Sequence, residues 1–325
     1  YQIISKNLMN VYWFQDSKAG HIKQVKVLLD QLKKEKEFSI ITINYSNKES
    51  FSKMLAAKDQ LDGPIILIGA GHDVYSKILQ SKKYIEKFID RDIYSIAVLR
   101  PSYKLNSFDL IIAPEHDFRK KRLPKNVITF QGALAATSQT PAVKTRAMIA
   151  IGGPSKHYKF DQEILLTQIH YILSLHPKHE FKIFNSRRTP NALNLKLKDE
   201  FHSYLNAKFV DINSPESNSF QMSVNESALK FVTPDSSNLV FESLSTVGQT
   251  YLIQIEDPQY RRIFGTKKIR ESMNEIVKSK RVGVVSLLKK KGGIDISSIE
   301  PPLSHFEPLA EVEKVAFSIM KIINS

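Results

Sequence analysis

Short apolar runs alternate with amphipathic stretches along the first 130 residues of the chain. The short apolar or alternating runs predict strands, whereas apolar residues at positions 22, 25, 28, 29 and 32 recur at helical spacing. The predicted strands of this half are 11–14, 38–45, 64–68, 95–99, 109–113 and 127–130. The predicted helices between them are 22–32, 51–61 and 73–89.

Residues 132–144 mix Ala, Thr, Ser, Gln and Pro without periodicity, which predicts a linker. The alternation of strands and helices then restarts. The predicted strands of the second half are 147–151, 181–185, 209–212, 229–233 and 250–255. The predicted helices are 161–174, 191–205, 237–247, 269–280 and 310–323, the last of which is amphipathic.

Strands that alternate with helices of this length are typical of parallel sheets built from βαβ units. The sequence therefore predicts an α/β protein of two Rossmann-like, doubly wound domains that face each other across a cleft. We place the N-terminal domain at residues 1–142 and the C-terminal domain at 143–308. We expect a terminal helix at 309–325 to pack back on the N-terminal domain. Ligands of open α/β sheets bind beyond the carboxyl ends of the strands, so the residues that follow each strand are the candidate site.

The composition adds a surplus of positive charge. Lys and Arg number 47 against 33 Asp and Glu, a formal net charge of +14. This surplus favours phosphates, nucleic acid or an anionic membrane surface as a partner, and a lysine-rich genomic composition explains it equally well. Cys is absent, which excludes disulfides, thiolate metal sites and a Cys nucleophile. No apolar run reaches the roughly eighteen residues that predict a transmembrane helix.

The first candidate motif lies between the first strand and the first helix. Asp16 and His21 are candidate general bases, and Lys18 and Gly20 stand with them at a helix N-terminus. Free N–H groups and the positive end of the helix dipole suit a phosphate or an acceptor hydroxyl there. The alternative is a helix cap formed by Asp16 or Ser17, with a His that covers the first turn.

Two further motifs follow strands of the first half. Gly71 and His72 come after the third strand, in a turn without the third glycine of a dinucleotide fingerprint. A buried strand is followed by Glu115, His116 and Asp117. Three ionisable side chains in this place indicate either exposure to solvent or a functional role. Glu115 is a third candidate base. A tight strand-to-helix turn is the alternative at Gly71.

A glycine-rich turn opens the second half. Gly152 and Gly153, followed by Ser155 and Lys156, come directly after a predicted strand. Two glycines, a hydroxyl and a cation in one turn favour an anion-binding loop. The turn is not a P-loop, because the Gly-x4-Gly-Lys spacing is missing.

Two more strand ends of this half carry candidate donors. Arg187 and Arg188 offer planar forks that suit a diphosphate. Ser236 and Ser237 stand at the start of a predicted helix, and Glu242 lies one turn inside it, where a carboxylate is able to hold a ribose diol. Helix capping is the alternative at both places.

Taken together, these motifs resemble the mitochondrial-fission ELM family, many of whose members are bacterial. The resemblance covers most of the chain, in the order of the family, and weakens after about residue 252. The matching stretches are Asp16–His21 with Gln24, Phe108–Asp117, Gly132–Leu134, Ile151–Tyr158, Ser186–Pro190 and Thr233–Ser236 with Glu242.

The family is similar to the GT-B glycosyltransferases, which bind a nucleotide sugar mainly on the C-terminal domain. The resemblance implies that the turn at Gly152 and the helix start at Ser236 face the diphosphate and that Glu242 holds the ribose. It also implies that Asp16 and His21, with Gly20, face the reacting sugar and the acceptor.

The leading hypothesis is an inverting glycosyltransferase that uses a nucleotide sugar as substrate, without metal or cofactor. Its acceptor is expected to be a cell-envelope glycolipid or a lipopolysaccharide precursor. The basic run at 119–122 then suggests a cytoplasmic protein that is peripheral on the inner membrane face. The alternatives are a nucleotide-sugar epimerase of the same fold and a non-catalytic, membrane-associated adaptor. Nucleic acid is the least favoured partner, because no recognition motif accompanies the charge.

Overall fold

The protein was described from a computed structural model, which covers residues 9–44, 63–118, 122–256, 268–289, 295–303 and 307–324. The chain divides into two compact units. Unit 1 comprises Tyr1–Ala136 with Ala310–Ser325, and unit 2 comprises Thr137–Leu309.

The observed division falls a few residues from the boundaries drawn at 142/143 and 308/309 on the sequence. Two backbone hydrogen bonds explain the shift. Ser138 N–H donates to the Ser245 carbonyl at 2.9 Å, and Leu309 N–H donates to the Leu244 carbonyl at 2.8 Å. Both ends of this segment are therefore held within unit 2.

Unit 1 is built on a parallel sheet of six strands in the order β2-β1-β3-β4-β5-β6. Strand β1 (Met9–Gln15) contains only apolar, aromatic and amide residues. Six of its seven residues are buried, as expected for a strand covered on both faces. The strands are β1 (Met9–Gln15), β2 (Phe38–Asn44), β3 (Ile65–Ala70), β4 (Ile93–Val98), β5 (Leu110–Pro114) and β6 (Val127–Phe130).

Helices cover both faces of this sheet. The described helices of unit 1 are α1 (Ala19–Glu35), α2 (His72–Ile85) and, from the end of the chain, α8 (Glu311–Ile323). Alternate side chains of β1 divide between two hydrophobic clusters: Val11 and Trp13 pack with α1 and α8, whereas Tyr12 and Phe14 pack with α2. The C-terminal helix thus belongs to the core of unit 1.

Unit 2 contains a seven-stranded sheet in the order β13-β12-β11-β10-β7-β8-β9. All neighbours are parallel except β12 and β13, which pair antiparallel. The strands are β7 (Val143–Ala150), β8 (Glu180–Phe184), β9 (Ala207–Val210), β10 (Ser227–Val232), β11 (Gln249–Ile253), β12 (Gly283–Lys289) and β13 (Asp295–Glu300). The described helices are α3 (Gln162–Leu175), α4 (Asn191–Phe201), α5 (Phe220–Glu226), α6 (Ser237–Leu244) and α7 (Lys268–Lys278).

The predicted fold class, two Rossmann-like parallel-sheet domains, is confirmed. The predicted helix at 51–61 and residues 119–121 of the basic run lie outside the described residues. Helix α5 and the pair β12–β13 were not predicted. Strand β13 is mostly polar, with two apolar positions, and lies at the edge of the sheet. Within the described ranges, none of the helices is long and apolar enough to cross a membrane.

Unit 2 also buries a lysine that the sequence pattern does not distinguish. Lys230 lies on β10 and is fully buried. Its Nζ donates to the Thr246 carbonyl at 3.1 Å, to Thr246 Oγ1 at 2.5 Å and to the Val247 carbonyl at 2.8 Å. Burial lowers the pKa of Lys230 from 10.5 to about 7.

This lysine makes stability depend on pH. Between pH 7 and the ordinary lysine pKa, the unfolded chain binds a proton that the folded chain does not, so the free energy of unfolding rises with pH. The contribution is at most about 1.4 kcal/mol per pH unit. Urea unfolding at pH 7, 8 and 9 should show this rise in the native chain and lose it in Lys230→Met. The exposed-lysine control Lys208→Met should keep it, and an equal rise in all three proteins would contradict the assignment.

Candidate functional site

The strand order places a switch point in each sheet, where neighbouring strands lead into connections that run in opposite directions. In unit 1 the switch lies between β1 and β3, and in unit 2 it lies between β7 and β10. Ligands of open α/β sheets bind at such points, beyond the carboxyl ends of the strands. Asp16 and Gly71 follow the first pair of strands, and Gly152 and Asp235 follow the second.

In unit 1, Asp16 and His21 form a hydrogen-bonded pair. Asp16 Oδ2 lies 2.6 Å from His21 Nδ1, and Asp16 Oδ1 accepts the Lys18 N–H at 3.0 Å. The Asp16 side chain is 3% exposed and the His21 side chain 23% exposed. The carboxylate is therefore buried behind a ring that solvent still reaches.

This pairing fixes the tautomer of His21. An ionised carboxylate has no proton to donate, so Nδ1 carries the proton and Nε2 keeps its lone pair. A proton accepted at Nε2 would create an imidazolium whose charge lies directly against Asp16. A buried carboxylate in this position orients the ring and stabilises the protonated form. The pair therefore has the arrangement of a general base.

Gly71 is the residue against which this pair is packed. Its φ of 106° and ψ of 151° lie in a region that is essentially restricted to glycine. A Cβ at position 71 would overlap both Asp16 Oδ2 and His21 Nδ1. Gly71 therefore supplies both the turn after β3 and the space for the pair.

Tyr75 connects the pair to the neighbouring strand end. Its hydroxyl donates to the carbonyls of Val98 and Leu99, at 2.7 and 3.0 Å. Burial raises the pKa of Tyr75, and the charges of Asp16 and Asp117 raise it further, against a backbone hydrogen bond at Gly71 that lowers it. Two carboxylates of this edge thus lie within electrostatic reach of one buried phenol.

Three other predicted residues of unit 1 are not part of the Asp16–His21 pair. Gly20 lies in the first turn of α1 without a positive φ, whereas Gly71 has a positive φ. The Lys18 side chain is exposed. His72 is exposed at the start of α2, with its ring 5.8 Å from that of Tyr75.

Glu115, His116 and Asp117 form a 3-10 turn directly after β5. Glu115 is exposed, whereas His116 and Asp117 are half-buried. Within the described ranges the structure gives the Glu115 carboxylate no hydrogen bond or ion pair, and it joins neither member of the Asp16–His21 pair. His116 and Asp117 both have interaction partners.

In unit 2, the glycine turn after β7 is fastened to the strand end of β10. Gly152 N–H donates to Thr233 Oγ1 at 2.8 Å, and Gly153 N–H donates to Asp235 Oδ2 at 3.0 Å. A Cβ at Gly152 would overlap the Asp235 carboxylate. Position 152 therefore needs a glycine, because Asp235 lies too close for a Cβ, and the Gly152 N–H group is already bonded to Thr233.

Asp235 is fully buried and pairs with Arg188. Arg188 Nη2 donates to Asp235 Oδ2 at 2.7 Å, and its Nη1 donates to the carbonyls of Gly153 and Pro154 at 3.2 and 3.3 Å. The Arg188 side chain is 42% exposed. Asp235 Oδ1 is buried and has no hydrogen-bond partner within the described ranges. The arginine thus neutralises a buried carboxylate while it remains open to solvent.

Ser186 and Thr189 fasten the same turn from the strand end of β8. Their hydroxyls donate to the Gly152 carbonyl at 2.8 and 2.5 Å. The helix-capping alternative does not hold here: Thr189 does not cap α4, because Pro190 occupies the N-cap position and the helix has no side-chain cap. The residue stabilises the glycine turn instead.

The helix start after β10 is free of side-chain caps. Ser236 occupies the N-cap position of α6 without accepting a hydrogen bond from the first turn, so the first N–H groups of the helix are not capped by a side chain. Ser237 opens the helix and is half-buried. Glu242 lies buried one turn inside α6 and has an interaction partner.

The remaining predicted residues of unit 2 lie at the margin of the turn. Ser155 Oγ accepts the N–H groups of His157 and Tyr158, at 3.2 and 3.3 Å, and so shapes the local chain. Lys156 and Arg187 are both exposed. Within the described ranges Arg187 forms no ion pair, whereas Arg188 is paired with Asp235.

A cavity of about 260 Å³ lies beside this turn, next to the carboxyl end of β11. Tyr158, Pro234 and Glu256 line it together with apolar residues of α7. The Arg270 guanidinium lies 4.5 Å from the centre of the Tyr158 ring and is paired with Glu256 at 2.5 Å. The Tyr158 ring, over which Arg270 lies, gives the cavity one aromatic wall, and such a wall is suited to a planar ligand group.

Sequence reasoning identified the glycine turn but did not assign the residues that fasten it. Asp235 was considered only as a helix cap, and Tyr158 and Arg270 were not considered as site residues. A useful signal was the position of Asp235, three residues after the buried end of β10, where an unpaired carboxylate is costly.

The sequence description of the family named mitochondrial fission ELM1 matches residues 19–323. The chain belongs to the mitochondrial-fission ELM1 family. The match includes His21, Gly71 and the whole of the glycine turn, and it begins three residues after Asp16. The ELM1 resemblance inferred from the motifs is therefore confirmed.

One curated relative of this ELM1 family member is an uncharacterised protein of Rickettsia prowazekii. It is 23% identical over 377 aligned residues, which cover 96% of this chain and all of the relative. The identity spans both units.

Solved structures share the fold at low identity. A candidate UDP-N-acetylglucosamine 2-epimerase from Listeria monocytogenes is similar with a TM-score of 0.54 and 11% identity, over 97% of this chain and 88% of that one. The E. coli ADP-heptose lipopolysaccharide heptosyltransferase II gives a TM-score of 0.43 and 8% identity, over 97% and 99%. The first of these likenesses shows that the ELM1 family member has the GT-B type of fold.

Proposed function

We propose that this protein is a glycosyltransferase that moves a sugar from a nucleotide-sugar donor to an acceptor hydroxyl. The observation that carries the proposal is the Asp16–His21 pair, 2.6 Å apart and packed against Gly71 at the switch point of unit 1. A hydroxyl is a poor nucleophile until a base removes its proton, and this pair is arranged as a base.

In this proposal, unit 1 activates the acceptor. The acceptor oxygen forms a bond to the anomeric carbon while its proton passes to His21 Nε2, and the resulting imidazolium is stabilised by Asp16. The bond from the anomeric carbon to the diphosphate oxygen breaks, and its electron pair leaves with the nucleoside diphosphate. A single displacement of this kind inverts the anomeric configuration.

Unit 2 holds the leaving diphosphate. The uncapped N-terminus of α6 and the exposed face of Arg188 provide positive charge without a metal ion. Lys156 adds an exposed cation beside the turn. In this proposal Glu242 holds the ribose, as the family resemblance implies, and the cavity lined by Tyr158 receives the nucleobase.

The proposed binding of the diphosphate by unit 2 predicts different effects for substitutions at two adjacent arginines. Arg188→Gln should weaken binding of a nucleoside diphosphate about tenfold or more, because it removes a charge-assisted donor and leaves Asp235 unpaired beside the ligand. Arg187→Gln removes the same charge one residue away and should change the affinity less than twofold. Isothermal titration with uridine, adenosine, guanosine and cytidine diphosphates measures both variants.

Circular dichroism of both variants controls for folding. The donor-site assignment fails if none of the four diphosphates binds the native chain. It also fails if Arg187→Gln weakens binding as much as Arg188→Gln, since a general charge effect would then explain the affinity.

A second candidate is a nucleotide-sugar epimerase, which the fold likeness to the candidate UDP-N-acetylglucosamine 2-epimerase favours. The two reactions leave different products. A transferase releases free nucleoside diphosphate and forms a glycoside, whereas an epimerase returns an isomerised sugar nucleotide. Chromatography of a candidate donor, incubated with and without cell-envelope glycolipid extract, distinguishes them.

A further inference from the structure

Among the described residues, Arg100 forms no ion pair at the carboxyl edge of the unit 1 sheet. It follows β4, and its guanidinium carbon lies 5.1 Å from the centre of the Phe118 ring. Its Nε is buried and has no hydrogen-bond partner in the described part of the chain. Arg188 and Arg270, by contrast, each pair with a carboxylate at 2.7 and 2.5 Å.

A guanidinium that forms no ion pair and keeps an unsatisfied N–H group is incompletely compensated, and an anion at its two Nη groups would supply the missing charge. The fork formed by the two Nη groups matches two oxygens of a phosphate or a carboxylate. The Phe118 ring lies against the guanidinium.

The backbone before Arg100 is held in an unusual conformation. Leu99 has a φ of 69°, in the left-handed region that leucine rarely adopts. Its N–H donates to the Ile112 carbonyl at 2.7 Å, and its carbonyl accepts the Tyr75 hydroxyl at 3.0 Å. These bonds fix the direction in which the chain leaves β4, and that direction positions Arg100.

Arg100 lies on the same sheet edge as the Asp16–His21 pair. The strand order β1-β3-β4 puts two strand spacings between Asp16 and Arg100, or about 10 Å. Tyr75 lies between the two, because its hydroxyl donates a hydrogen bond to the Leu99 carbonyl and its ring is within electrostatic reach of Asp16.

We propose that Arg100 binds an oxyanion on the acceptor, so that the acceptor carries a phosphate or carboxylate group about 10 Å from the hydroxyl that reacts. This inference rests on the proposed function, which assigns the acceptor to unit 1. The carboxylates of Asp16 and Asp117 on the same edge repel a larger polyanion, so a single anionic group is expected.

Arginine side-chain resonances test the proposal directly. The full chain is labelled with 15N-arginine, and the Nε–H signal of Arg100 is assigned by its loss in Arg100→Lys. Inorganic phosphate and acetate are titrated separately, which distinguishes the two oxyanion types. We expect one of them to move the Arg100 signal saturably, while the exposed Arg187 moves only linearly with concentration. Arg100→Gln should raise the dissociation constant for that anion at least tenfold.

The result that overturns the proposal is an Arg100 signal that neither anion moves, or one that moves in parallel with Arg187. Uridine diphosphate, added to the same sample, reads the donor site through Arg188. If a diphosphate moves the Arg188 signal and neither anion moves the Arg100 signal, the donor site is supported and the oxyanion site is rejected. If phosphate or acetate moves the Arg100 signal saturably and none of the four diphosphates moves the Arg188 signal, the oxyanion site is supported and the donor site is rejected.

Discussion

Replacing His21 by alanine should lower kcat for glycosyl transfer by about 10²- to 10⁴-fold, the range typical of a positioned general base. The loss is expected because no other described group pairs with Asp16 to accept the acceptor proton. Binding of the nucleoside diphosphate should stay within twofold of the native value, since His21 belongs to unit 1 and the diphosphate is assigned to unit 2. Initial rates at saturating donor measure the first quantity, and isothermal titration measures the second.

Two further variants make the result specific. Asp16→Asn offers His21 an amide in place of a carboxylate, which no longer stabilises the imidazolium, and should also lower kcat strongly. His202→Ala removes an exposed histidine of unit 2 and should leave kcat unchanged. If His21→Ala turns over within threefold of the native rate, His21 is not the base. If it is inactive in transfer but keeps the cellular role of the protein, the adaptor hypothesis takes the place of the enzymatic one.

The second large effect is expected at Gly71. Gly71→Ala places a methyl group against Asp16 Oδ2 and His21 Nδ1, at a backbone conformation that alanine scarcely adopts. We expect a loss of about 1–3 kcal/mol in the free energy of unfolding from the backbone conformation, and a loss of activity of at least tenfold from displacement of the pair. Thermal or urea unfolding and initial rates measure the two effects.

Gly248 provides the matched control. Its φ is also 106°, but a Cβ there would meet the backbone of Ser227 and Ala228 in unit 2, away from the pair. Gly248→Ala should therefore lose stability while its folded fraction keeps its activity. Gly71→Ala that folds and remains fully active would show that the packing of the pair is not needed for catalysis.

The sequence predicted the fold well because the apolar runs of parallel strands are continuous and the intervening helices are amphipathic. Asp16 and His21, the candidate bases named from the sequence, lie five residues apart on one local segment. Local chain geometry alone brings these two side chains together, so no knowledge of strand order was needed.

Contacts between strand ends were beyond the reach of the sequence. Gly71 meets the Asp16–His21 pair only because β1 and β3 are neighbours, and Asp235 meets Gly152 only because β7 and β10 are. Strand order and register decide such contacts, and the hydrophobic pattern specifies neither. For the same reason the sequence does not show that the glycine with a positive φ beside this pair is Gly71, some fifty residues after Gly20.

The ion pair between Arg188 and Asp235 bears on how quickly a site of this kind empties. A diphosphate that binds Arg188 competes with the Asp235 carboxylate, which already pairs with it. Binding therefore replaces one anionic partner of the arginine with another, and it gains less free energy than binding to an unpaired arginine would. When the product leaves, Asp235 recovers its partner at once. Such an exchange favours rapid turnover over tight retention of the spent nucleotide.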